Sequence, residues 1–145
     1  MGVSHAALVD PSYRLHPGPP PVADYRRLRA EAGLSPVSAA QAAAGLDGAW
    51  AACHVVRVDG EVAGMGRVLG DGGWYFHVVD MAVLPTHQRR GIGAAVLAHL
   101  LDAIRTGAPP GAYVNLVADP PGRGLYRRFG FTDTAPDGIG MSLLL

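Results

Sequence analysis

Residues 78–104 read V-V-D-M-A-V-L-P-T-H-Q-R-R-G-I-G-A-A-V-L-A-H-L-L-D-A-I. The run begins as a β-rich apolar strand, passes through a basic turn that carries glycines, and continues as a helix. Val96, Leu97, Leu100, Leu101 and Ile104 recur at helical spacing. The turn itself, Gln88-Arg89-Arg90-Gly91-Ile92-Gly93, has the pattern Q-x-x-G-x-G directly ahead of that helix. The first amides of a helix lack intrachain partners and carry the positive end of its dipole. Glycines let the backbone close around an anion, and Arg89 and Arg90 add full charges. The turn therefore reads as a phosphate site. A dinucleotide fingerprint would need a third glycine where Val96 stands and an acid after the next strand; a P-loop would need Gly-Lys-Ser/Thr. Neither is present.

The segment resembles motif A of the GNAT family of N-acetyltransferases, and Met81-Ala82-Val83-Leu84-Pro85 matches that family's usual strand ending. Further on, Leu125-Tyr126-Arg127-Arg128-Phe129-Gly130-Phe131 resembles its motif B. The resemblance implies an α/β domain with a mixed sheet, in which antiparallel N-terminal strands precede a βαβα unit with a V-shaped cofactor cleft. It implies that Gln88, Arg89, Arg90, Gly91, Ile92, Gly93 and Ala94 hold the pyrophosphate of acetyl-coenzyme A as co-substrate, with no metal. It also implies that the amides of Met81, Ala82 and Val83 bind the pantetheine arm and orient the thioester carbonyl, in the manner of fixed dipoles. Tyr126 then matches the tyrosine that protonates the departing thiolate. That role is chemically sound, because a phenol of pKa ~10 can donate to a thiolate of parent pKa ~8.5 as charge develops. Asp119 stands seven residues ahead of Tyr126, where the family usually has Asn; it can serve as a helix cap or as an acceptor for a pantetheine amide.

At 145 residues the chain suits a single domain, read here as 1–145. Formal net charge is zero and no Lys/Arg run exceeds two residues, which argues against a nucleic-acid groove or a polybasic membrane surface. A lone cysteine, Cys53, precludes an intrachain disulfide framework; its setting among Ala51, Ala52, Val55 and Val56 reads as a buried strand residue. No apolar run reaches the ~18 residues of a membrane span. The start M-G-V-S-H-A has no signal-peptide core and lacks Ser/Thr at the sixth position. Cytoplasm is the expectation.

Before the decisive segment, Tyr13 to His16 reads as a short strand ended by the proline run 17–21. A helix follows, with Tyr25, Leu28 and Ala32 inward, Arg26, Arg27 and Arg29 toward solvent, and Gly33 as its C-terminal stop. Ser38 and Gln41 form a capping box for a second short helix ending near Gly45. Trp50 to Val58 and Glu61 to Leu69, joined by Asp59-Gly60, form a hairpin; Asp71-Gly72-Gly73 reverses the chain into Trp74 to Val83. After the long helix, residues 112–117 read as a strand parallel to the previous one, and Gly140 to Leu145 as a last apolar strand.

Alternation along 75–82, barring a bulge, places Tyr75, His77, Val79 and Met81 on one face and Phe76, Val78, Asp80 and Ala82 on the other. An amine acceptor is protonated at neutral pH, with a pKa near ~10.4 for an alkyl ammonium, so a nearby base helps. His77 is the first choice, since an unperturbed imidazole titrates near ~6.5. It lies six residues before Val83, where relatives that acetylate histones place a glutamate base. Asp80 is the second choice, as base or as a holder of the acceptor ammonium.

The expected function is direct transfer of acetyl from acetyl-coenzyme A to a primary amine, on a small molecule or a peptide, in a ternary complex. The alternative is a non-catalytic acyl-coenzyme A sensor on the same fold. A homodimer contact through the last strand is left open.

Overall fold

β-Type runs separated by D-G and D-G-G reversals, then one long amphipathic helix, generate the architecture of the computed structural model, which describes residues 8–145. The reading of the first six residues lies outside that range. The strands are β1 (Tyr13–Pro17), β2 (Ala51–Arg57), β3 (Val62–Gly70), β4 (Tyr75–Val83) and β5 (Tyr113–Asn115). They form one sheet in the order β1-β2-β3-β4-β5, antiparallel up to β4, with β5 parallel to β4. The helices are α1 (Val22–Glu31), α2 (Ala39–Asp47), α3 (Ile92–Gly107) and α4 (Arg123–Arg128). Among the described residues, no helix is long and apolar enough to cross a membrane.

The sheet separates two cores. On one face α3 buries Ile92, Val96, Leu97, Leu100, Leu101 and Ile104 against Cys53, Val55, Val68, Phe76 and Val78. These α3 residues are the apolar stripe, spaced to share one side of a 3.6-residue helix. On the other face α1 and α2 contribute Tyr25, Leu28, Ala42 and Leu46 against Val62, Met65 and Ala82. The capping box of α2 forms: Gln41 N–H donates to Ser38 Oγ at 3.0 Å, and Ser38 N–H donates to Gln41 Oε1 at 2.8 Å. At the β3–β4 reversal the Asp71 carboxylate accepts from the amides of Gly73, Trp74 and Tyr75. Those amides, Trp74 foremost, hold the Asp71 carboxyl below the usual carboxylate range.

Four expectations are corrected. Alternation along β4 breaks at Asp80, where the register shifts between Met65–Ala82 and Arg67–Val79 and φ is +58°. This is a bulge, two residues opposing one. Beyond it, Met81 and Val83 pack on the α3 face with Phe76 and Val78, while Ala82 joins the other core. Met81 is therefore not on the face of His77, and Asp80 is not on the face of Phe76. Second, Arg29 does not face solvent; its side chain is 11% exposed and reaches Asp80. Third, β5 holds its ladder for three residues only. Fourth, Gly140 to Leu145 form no strand, and Met141, Leu143, Leu144 and Leu145 lie exposed.

Candidate active site

Two features of the backbone create the site. The first is the divergence of β4 and β5: they pair at Tyr75–Tyr113, Phe76–Val114 and His77–Asn115, and the pairing ends there. From Val78 to Val83, β4 stays paired with β3 on either side of the bulge at Asp80, but no strand among the described residues pairs with its other edge. The amides of Met81, Ala82 and Val83 thus lie on a strand paired on one side only. The second feature is the start of α3. Gly91 occupies its N-cap with φ +78°, a left-handed conformation that costs an L-residue side chain about 1–2 kcal/mol, and no side chain caps the helix. The first-turn amides of Ile92, Gly93 and Ala94 are left to an outside acceptor. Arg89 and Arg90 are exposed beside them, Arg90 within 3.6 Å of Asp10, and Gln88 Nε2 donates to the Val83 carbonyl. An ideal Cβ on Gly93 would stand 3.4 Å from Leu125 Cδ2, which places α4 within van der Waals range of the start of α3.

The approach to this turn is anchored by His87, a residue sequence reasoning passed over. It is 4% exposed in the 3-10 turn Pro85–His87. Its Nε2 meets the Glu61 carboxylate and its Nδ1 meets the Tyr13 hydroxyl at 2.6 Å.

His77 and Tyr126 line one cavity of about 1110 Å³ beside β5, together with Tyr75, Asn115 and Arg123. The stretch Gln88 to Ala94 is outside that lining. His77 Nδ1 meets Asn115 Oδ1 at 2.5 Å, and Asn115 Nδ2 donates to the Tyr75 hydroxyl at 2.5 Å. Tyr126, on α4, packs edge-on against Phe131 with centroids 6.0 Å apart. Burial, then the negative charge of Asp119, raises its pKa above the ordinary phenol value. Gly122 makes room for the ring, since a Cβ there would fall 2.8 Å from Tyr126 Cε2. A better helix former would collide with the tyrosine. Asp119 precedes the 3-10 turn Pro120–Gly122 without forming a side-chain cap, contrary to the expected capping role.

Asp80 stands apart from these groups. Its side chain, 7% exposed, is engaged by Arg29 on one oxygen and by Arg67 on the other, and the latter also accepts from the Tyr25 hydroxyl at 2.7 Å. Arg67 in turn donates to the Gly45 carbonyl of α2 at 2.9 Å, and Arg29 donates to Ser35. The bulge turns the carboxylate toward α1 and α2, where it ties both helices to the sheet. Cys53 is fully buried, with Sγ 3.8 Å from the Val96 carbonyl, and burial pushes its thiol up to about 12. A thiol so placed is no nucleophile at neutral pH.

Residues 49–133 match the family model described as acetyltransferase (GNAT) domain. A probable acetyltransferase of unknown function from meticillin-resistant Staphylococcus aureus is 37% identical over 92% of this chain and 99% of its own, with a TM-score of 0.87. A GNAT-family protein from Streptococcus pneumoniae has 24% identity over 92% and 98%, with a TM-score of 0.75. Glucosamine-6-phosphate N-acetyltransferase from Arabidopsis thaliana has 16% identity over 91% and 97%, with a TM-score of 0.67. The last two carry the fold alone. No significant match was found among curated proteins.

Proposed function

The chain belongs to the GNAT family of acetyltransferases, and we propose that it moves the acetyl group of acetyl-coenzyme A to an amine by direct attack in a ternary complex. The observation that carries this reading is the end of β4–β5 pairing at His77 and Asn115, which leaves one edge of β4 unpaired beyond a cavity lined by His77 and Tyr126. The uncapped start of α3, with Gly91 in the left-handed region, suits a diphosphate: its amides and Arg89 supply donors and charge where anions bind helices. The open edge of β4 suits the amides of an extended pantetheine arm. The thioester supplies an acetyl carbon that the amine lone pair attacks, with the C–N bond forming and the C–S bond breaking. His77 Nε2 takes the proton leaving the amine, and the Tyr126 hydroxyl gives one to the sulfur. Asp80 is proposed as a structural anchor in place of a base, because both its oxygens are already committed to arginines. The lone reduced, buried cysteine supports a reducing, cytoplasmic setting.

Thiol release from acetyl-coenzyme A should be measured against a broad amine panel, with products weighed for one added acetyl group. His77→Ala is expected to lower kcat/KM about 10²-fold and to remove the fall in rate on the acid side. An unchanged pH profile would reject His77 as base, and tight acetyl-coenzyme A binding without turnover of any amine would favour the sensor. Gly91→Val tests the anion turn. No atom crowds a Cβ at Gly91, so the change acts through backbone conformation. Acetyl-coenzyme A should bind about tenfold more weakly by calorimetry, while acetyl-pantetheine, which lacks the diphosphate, should lose little. Equal losses for both would place the diphosphate elsewhere.

A further inference from the structure

We propose that Asn115 is a positioning residue for His77, fixing the imidazole in the tautomer whose free lone pair is on Nε2; this rests on the reading of His77 as the base. Residues 115 and 77 are the last paired positions before β4 and β5 part. The register that ends the ladder therefore also sets Asn115 against the ring. Asn115 Oδ1 stands 2.5 Å from His77 Nδ1, and a carboxamide oxygen can only accept. With Oδ1 turned to the ring, Nδ1 of the neutral imidazole carries the hydrogen, which leaves Nε2 as the acceptor nitrogen.

The other end of the amide meets Tyr75. Asn115 Nδ2 donates to the Tyr75 hydroxyl at 2.5 Å, so that the amide bridges two residues that share a face of β4, two positions apart. Tyr75 in turn packs on Tyr113, whose ring is stacked on Trp74 with centroids 5.4 Å apart. The order of this aromatic group passes through Tyr75 to the amide and from the amide to the imidazole. A neutral imidazole with no such partner divides itself between two tautomers and can rotate about its side chain. Only the form with Nε2 unprotonated serves as base here, because Nδ1 is occupied by Asn115 whatever the acceptor. The arrangement does for His77 what an orienting group does for any catalytic histidine: it selects the tautomer and locks the ring. An asparagine within the apolar run Val114-Asn115-Leu116-Val117 is otherwise out of place, since Asn is disfavoured in strands.

The test is the nitrogen spectrum of His77 in the intact protein, recorded above pH ~8, where a free imidazole is neutral, and assigned by its loss in His77→Ala. The wild type should show hydrogen on Nδ1. Asn115→Leu should return the ring to a tautomer mixture and lower kcat about tenfold or more, with the KM for the amine changed less than threefold. Asn115→Asp, which keeps an accepting oxygen, should restore the Nδ1–H form and part of the rate. Hydrogen on Nε2 in the wild type, or an unchanged tautomer in Asn115→Leu, overturns the proposal. If instead the tautomer behaves as stated but His77→Ala turns over normally, the base assignment fails while the positioning contact stands, so the two claims are separable.

Discussion

Asp80→Ala is expected to destabilise the protein by about 3–5 kcal/mol, a large part of the ~5–15 kcal/mol that holds a domain of this kind together. The cause is what remains behind. Arg29 and Arg67, with side chains 11% and 15% exposed, would keep their charges in a buried setting with no carboxylate between them. The Tyr25 hydroxyl would lose its acceptor as well. Alanine would also have to adopt φ near +58°, at about 1–2 kcal/mol, whereas asparagine tolerates that region. Asp80→Asn therefore separates the terms: it keeps the bulge and removes only the charge, and should fall between wild type and Asp80→Ala in urea titration. The thermal midpoint of Asp80→Ala should drop on the order of ten degrees or more. Replacing Asp80, Arg29 and Arg67 together by apolar residues of similar volume should recover much of the loss, since a buried ion cluster is costly mainly when broken. Folded Asp80→Asn should turn over substrate within a few-fold of wild type. Loss of turnover in a variant that melts normally would return Asp80 to the chemistry and sink the structural assignment.

What the sequence disclosed was local. The hairpin followed from Asp59-Gly60, the long helix from the spacing of Val96, Leu97, Leu100 and Leu101, and the second helix from Ser38 and Gln41. Each of those signals acts within a few residues of chain. The bulge at Asp80 depends instead on what lies across the sheet. Opposite it, a Cβ on Gly66 would stand 2.7 Å from Met81 Sδ and from Val96 Cγ1, so β3 and α3 meet at a distance only glycine permits. A glycine inside a strand is a recognised sign of a bulge or close approach, and Gly64 and Gly66 carried it. Arg29 was unreadable for the same reason. Its helix position looks solvent-facing, and only the bulged carboxylate on β4 makes burial favourable. At the C-terminus the error runs the other way. Met141 to Leu145 have strand-like composition, but a strand needs a partner edge, and β5 pairs for only three residues before an irregular chain containing Pro136, Gly138 and Gly140. For the site, the glycine turn and Tyr126 were legible as motifs; Asn115 and Tyr75 were not, because their role exists only once two strands are in register.

Tyr126→Phe should lower turnover by about 10²–10³-fold while leaving acetyl-coenzyme A affinity within about threefold, because the hydroxyl is needed only as charge develops on sulfur. Phenylalanine keeps the ring over Gly122 and against Phe131, so stability should change little. Burial, with Asp119 adding its negative charge, raises the phenol pKa, which keeps the proton on oxygen through neutral pH. The sign follows directly. The protonated form is the active acid, so the alkaline loss of rate due to Tyr126 comes only as pH rises through its raised pKa, above the ordinary ~10. Asp119→Asn removes the smaller of the two causes and should move that loss modestly downward, not abolish it. The decisive control is the leaving group. With an activated thioester whose thiol is strongly acidic, the sulfur departs without a proton, and Tyr126→Phe should then cost less than tenfold. If the variant is equally slow with both thioesters, the hydroxyl orients the substrate without donating. If it is equally fast with both, the proton reaches sulfur from elsewhere, and the match of Tyr126 to the family's tyrosine does not extend to its chemistry.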